Sequence, residues 1–389
     1  MATTFKNFLN NDSTQTRTLL HEAIPITGTI VSGTYITNTE TNIKNFSHGM
    51  FQSVYDYPYL SSSANHIFDL TVGMAAASAL SQSLTGAGRG ILGEGGAEAV
   101  QQAKKINIYN QMAQVLMGNN VDGSIRDFDR DGDLTGGVNL NEVFIISFSR
   151  LLSKDEIKKG SFTMSVFTGS SATGSTTNGA TSLMTLGDYN GENGYKVNSP
   201  AGEFGLLLTS STSDDAYAAG LLFYQAGIAV LTASIFRTTA GYNTCVADTG
   251  VGFPSAGPGS GSGRHFYLGS AETSSMTMEG LFLSQSISGA CDALRTRLKS
   301  ISFNNTTELN STVYFCRANH NEFNYSANPT YLDSSKIVVK NNSSDLPVTY
   351  ITTIGLYSSD NELLAMAKLS EPLKKDPNTE LTLRVRLDY

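Results

Sequence analysis

The closing run Glu380 to Tyr389, ELTLRVRLDY, alternates without a break. Leu381, Leu383, Val385 and Leu387 fall on one side, and Thr382, Arg384, Arg386 and Asp388 on the other. Only an extended backbone sends every second side chain to one face, so the run is a strand with one covered and one wet face. A slip of one residue would exchange the faces, so its partner must fix its register. The run also predicts a C-terminus pinned in a sheet. Just upstream, VTYITTIGLY (348–357) and ELLAMAKL (362–369) flank the polar turn Ser358 to Asn361 and read as a hairpin. STVYFCRA (311–318) and SKIVVK (335–340) add short strands. Residues 301–389 therefore read as a C-terminal antiparallel β-domain.

The rest of the chain has the composition of strands and turns. Charged residues are only 15% of the 389, and Ser, Thr, Asn and Gly fill the gap. The length suits two or three units at roughly 100–200 residues each. Residues 1–60 read as a polar N-terminal arm with one strand, Ile24 to Ile36. Residues 61–167 read as a helix-containing α+β unit. Its helix is Ala97 to Met117, where Val100, Ala103, Ile106, Ile108, Met112, Val115 and Leu116 recur at roughly helical spacing. Residues 168–300 read as a β-rich unit with long flexible loops, above all 168–190 and Val251 to His265, and a helix towards its end. Within it, the apolar stretch Ala218 to Phe236 is interrupted by Gln225 and two glycines, and predicts two buried strands across a turn rather than a membrane span. The fold class expected is β-rich α+β: mixed β-sheet units, a few helices and long Gly/Ser/Thr-rich loops.

The net charge of −8, with no basic run longer than two residues, argues against a duplex-binding surface. The first residues lack the charged and apolar regions of a signal peptide. Cys245, Cys291 and Cys316 are unclustered, which implies neither a metal knuckle nor a disulfide framework.

DFDRDGDLTGGV (127–138) is the loudest local motif. It begins like an EF-hand loop: Asp127, Asp129 and Asp131 fit positions 1, 3 and 5, Gly132 fits 6, and Asp133 offers the carbonyl at 7. Position 12 is Val138 instead of Glu, the next acid is Glu142, and a strand-like run follows. That removes a calcium sensor. It leaves an acidic turn between helix and strand, or a structural calcium site on Asp127, Asp129, Asp131 and Asp133, the one cofactor the residues suggest. Gly88 to Gly93 matches G-x-G-x-x-G without the strand and the later acid that a dinucleotide site requires. His320 near Glu322 is the one conceivable acid–base pair. No other constellation supports catalysis, so the chain is expected not to be an enzyme.

Several long phrases resemble virion structural proteins of tailed bacteriophages, nearest to those of marine cyanophages with contractile tails. They are HGMFQSVYDYPYLSSSANHIFDLTVG (48–73), AKKINIYNQMAQVLMG (103–118), FSRLLSKDEIKKGSF (148–162), ISFNNTTELNSTVYFCRANHNEFNYSANPTYL (301–332) and residues 350–389. The segment from Asn321 to Lys375 resembles a module of tail and baseplate proteins. The resemblance implies a tail baseplate subunit in the virion, made in the host cytoplasm, with copies of itself and other tail proteins as partners. It implies no enzyme activity and carries no catalytic residues. The alternatives are a neck, tail-terminus or capsid-associated protein, and a receptor-binding or fibre-attachment module. The N-terminal arm and the 251–265 loop are the expected inter-subunit contacts.

Overall fold

The structure is a computed structural model. It describes residues 5–27, 43–56, 66–78, 97–167, 183–209, 218–236, 266–267, 275–276, 278–283, 285–295, 298–325, 332–333, 336–337, 344 and 346–389. The glycine cluster with Gly88 to Gly93, Cys245 and the loop Val251 to His265 lie outside the described residues.

In chain order the strands are β1 (Ser13–Thr27), β2 (Ile43–Asn45), β3 (Gln52–Tyr55), β4 (His66–Met74), β5 (Glu142–Phe148), β6 (Glu156–Ile157), β7 (Thr163–Phe167), β8 (Leu183–Gly187), β9 (Lys196–Ser199) and β10 (Gly202–Leu208). They continue with β11 (Ala218–Phe223), β12 (Ile228–Thr232), β13 (Phe266–Tyr267), β14 (Ser275–Met276), β15 (Leu298–Ala318), β16 (Leu332–Asp333), β17 (Lys336–Ile337), β18 (Thr349–Tyr357), β19 (Leu363–Lys375) and β20 (Leu381–Asp388). The helices are α1 (Ala97–Leu116), α2 (Arg150–Ser153), α3 (Gly191–Gly194), α4 (Met278–Leu283) and α5 (Ile287–Arg295). The protein is a strand-dominated α+β fold, as its sequence predicts. The registers of the pairs β10–β11, β11–β12, β12–β5, β15–β7 and β4–β5 are antiparallel.

The chain forms two compact units. One is Met1–Leu20 with Glu308–Tyr389; the other is His21–Thr307. This division differs from the four consecutive segments read from composition. The 1–60 arm does not stand as a unit, because a strand belongs with whatever it pairs with, however distant in sequence. Of its expected strand Ile24 to Ile36, Ile24 to Thr27 end β1, which starts earlier at Ser13, and residues 28–36 lie outside the described ones.

In the His21–Thr307 unit the sheet runs β15-β7-β8-β10-β11-β12-β5-β4-β3-β2. Its centre is nearly all apolar, because β4, β5, β11 and β12 are covered on both faces and cannot alternate. The stretch read as two strands across a turn is β11 and β12, paired Gly220↔Leu231 to Phe223↔Ile228. Among the described residues no helix is long and apolar enough to cross a membrane. Helices α1 and α5 pack on β4. Gly73 permits the close approach of α1: a Cβ there would sit 3.1 Å from the Tyr109 Cα. Lys105 of α1 donates to the carbonyls of Leu281, Phe282 and Gln285 at 2.7–2.8 Å, filling the open C-terminal end of α4. Burial there pushes its ammonium down to about 7.

In the other unit β20 pairs with β15 from Ser311↔Asp388 to Ala318↔Leu381. The alternation holds: Leu381, Leu383, Val385 and Leu387 are covered or partly covered, and their neighbours are exposed. Strands β18 and β19 form the expected hairpin, closed by Ser358 N donating to Glu362 O at 2.9 Å. Residues 5–20 lean on the C-terminal segment of the same chain. Lys6 pairs with Glu322, Asp12 with Arg317 and Arg17 with Glu308, while Phe8 meets Tyr314 ring to ring.

Candidate metal centre

The aspartate loop hangs between α1 and β5 on a short stem. Leu140 N donates to Phe128 O at 2.8 Å, and Arg130 N to Val138 O at 3.1 Å, so the backbone turns back on itself like a small hairpin. Phe128 and Leu140 are buried and anchor the stem in the core. Tyr109 of α1 ties its two sides together: its hydroxyl donates to Leu140 O at 2.9 Å and accepts from Phe128 N at 3.1 Å. Burial holds that phenol far above its ordinary range, so it stays neutral and keeps its donor. A helix precedes the loop and a strand follows it. No helix pair exists here to open, as the absent acid at Val138 implied.

The tip brings Asp129, Asp131 and Asp133 together, with one oxygen from each lying within 4.8 Å of the others. Asp129 is 3% exposed. Its Oδ2 accepts from Leu134 N at 2.7 Å, and its Oδ1 has no hydrogen-bond partner. Burial, then the neighbouring Asp131 and Asp133, push its carboxyl up to about 6. Asp133 is exposed, and the amide and hydroxyl of Thr135 hold its carboxyl below the ordinary range. The tip bends through left-handed backbone at Gly132, Leu134, Gly136 and Gly137. It rests on β9 and β10: Asn198 Nδ2 donates to Gly132 O at 3.2 Å, and a Cβ at Gly132 would strike the Phe204 ring at 2.9 Å.

Asp127 does not join the three. It lies on the stem side of the Phe128–Leu140 closure, where its Oδ2 accepts from Asn139 Nδ2 at 3.3 Å and burial raises its carboxyl. The expected set of four is therefore a set of three, and the count begins at Asp129. Counted so, the sixth position is Leu134, whose φ of 65° supplies the left-handed turn that glycine gives elsewhere. Glu142 is turned away and accepts from Ser78. Sequence reasoning missed Tyr109 and Asn139, because neither belongs to the aspartate pattern.

Among the described residues the other titratable groups form no relay. His320 Nδ1 lies 3.3 Å from Glu380 Oε1 on an exposed surface, while Glu322 accepts from Lys6 and from Asn319 N, so the conceivable His320–Glu322 pair does not form. Ser53 and His66 both bond to Asp69 Oδ1, at 2.5 and 2.8 Å. A nucleophile relay needs the imidazole between hydroxyl and acid, and here the acid stands between them. Cys291 is a buried free thiol and Cys316 a half-buried one.

No family model, no curated protein and no solved structure matches this chain.

Proposed function

We propose that the chain is a structural subunit of a tailed-bacteriophage virion. In this reading it is a baseplate component that works through contacts with copies of itself and with neighbouring tail proteins. The β18–β19 hairpin is the observation that carries the reading. Among the described residues its strands pair only with each other, and a lone two-stranded hairpin is marginal in water. Tyr357 stands opposite Leu363, and Gly355 opposite Met366. Gly355 faces the side chains of Tyr357 and Leu363, which puts these positions on one face. The three large side chains are 46%, 53% and 58% exposed, and Phe5 sets its ring edge-on to Tyr357 at 5.3 Å. Apolar side chains gathered on an open strand pair mark a contact surface, and the free edges of both strands offer backbone groups to a neighbour. The hairpin also lies within the segment that resembles a tail and baseplate module, which supports a phage tail as its setting.

Mass spectrometry of purified virions, followed by cryo-EM of the intact particle, tests the reading. The expected result is density for the chain in the baseplate, with Tyr357 and Leu363 covered by a neighbouring subunit. Absence from the particle, or density at the neck or capsid instead, would overturn it.

A further inference from the structure

We propose that Asp129, Asp131 and Asp133 form a binding site for calcium, and that the ion fixes the loop tip against β9 and β10. The site does not depend on the assembly reading. Three observations converge on it. The first is the cluster itself: oxygens bound to one calcium at 2.3–2.6 Å lie no more than about 5 Å apart, and those of the three aspartates lie within 4.8 Å of one another.

The second is the state of Asp129. A carboxylate oxygen that is out of water and has no donor is costly, and Asp129 Oδ1 is such an atom at a residue 3% exposed. The amide of Leu134 already serves the other oxygen. The orphaned oxygen and Asp131 Oδ2 both lie against Gly137: a Cβ built there would lie 3.8 Å from the first and 3.5 Å from the second. Gly137 itself carries no side chain.

The third is charge. Three carboxylates converge here. Lys196 lies near enough to influence Asp133, yet no Lys or Arg among the described residues forms an ion pair with any of the three. A divalent cation supplies what the local side chains do not. Carboxylates rather than imidazole or thiolate make the donors hard. Three acids leave further positions to water and backbone carbonyls, which suits the loose geometry and high coordination number of calcium better than the strict octahedron of magnesium.

The position of the tip gives the ion a structural task. Gly132 follows Asp131 directly, and it contacts Asn198 and Phe204. Drawing the three carboxylates onto one ion therefore holds the tip where it meets the sheet.

Calorimetric titration of the full chain with calcium chloride, after removal of metal by a chelator, tests the site alongside thermal melts. Binding of one calcium is expected, with a Kd of about 10⁻⁵ to 10⁻³ M for a site with so few acids, and with an upward shift of the melting midpoint. Asp129→Asn and the surface variant Asp133→Asn should each weaken binding by at least about tenfold, while Asp127→Asn, outside the cluster, should leave it nearly unchanged. Asp133 is exposed, so its variant reads the site without disturbing the core. Absence of calcium heat at millimolar concentration would overturn the proposal. So would an equal melting shift from potassium chloride at matched ionic strength, or full affinity in Asp133→Asn.

Discussion

The Tyr109 hydroxyl bridges Phe128 N and Leu140 O inside the core. Removing it strands two buried backbone groups at the neck of the aspartate loop. Tyr109→Phe is expected to lower stability by about 1–3 kcal/mol in denaturant melts, with little change in the slope of unfolding. Asp188 is a second residue whose state is set by burial. Its Oδ2 accepts from Gly160 N at 2.9 Å and from Tyr224 Oη at 2.8 Å, and its Oδ1 has no hydrogen-bond partner. Burial pushes its carboxyl up to about 6. A carboxyl raised in the folded state contributes stability that is complete below its unfolded value near 3.8 and is lost as pH rises through about 6. Asp188→Asn cannot ionise and lacks this loss. The stability of the native protein relative to Asp188→Asn should therefore fall by up to about 3 kcal/mol between pH 4 and pH 7. Equal profiles for the two proteins would contradict a buried, raised carboxyl. Neither residue was legible as special in the sequence. A tyrosine within a helical pattern and an aspartate beside a glycine look ordinary until distant backbone closes around them.

Among the elements, helix α1, the β18–β19 hairpin and β20 were legible from the spacing of their residues, and the β11–β12 pair from an apolar run broken by a turn. Helix α1 spaces most of its apolar residues by three or four, although Val100 and Val115 end up exposed, and β20 alternates. The strands buried on both faces, β4, β5, β11 and β12, show only apolar runs, which length and interrupting glycines had to sort from helices. The approach of α1 to β4 was not legible, although it depends on a single glycine. At Gly73 an added methyl would press on the Tyr109 Cα and Cβ at 3.1 Å, with packed helix backbone behind them. Gly73→Ala is expected to destabilise the fold by about 1–3 kcal/mol, read as a lowered thermal midpoint. An unchanged midpoint would mean that α1 can retreat from the sheet at no cost.

For the whole molecule, the decisive fact is that one unit is built from both ends of the chain, Met1–Leu20 and Glu308–Tyr389. Its first segment brings Lys6 to Glu322, Asp12 to Arg317 and Phe5 to Tyr357. Deleting residues 1–20 should therefore raise hydrogen exchange in Ser311 to Ala318 and in β18 to β20, and leave the amides of β4, β5, β11 and β12 protected. Unchanged exchange in the C-terminal strands would show that they hold without the N-terminal segment. The sequence by itself determined the strand-rich class, the main periodic elements, the polar hairpin turn and the grouping of acids in one loop, since each is a pattern within a few residues. Tertiary structure alone decided which aspartates converge, what ties the loop stem to α1, and that the first residues pack with the last. These depend on pairing between strands and on side chains from distant segments, and no local period encodes a partner three hundred residues away.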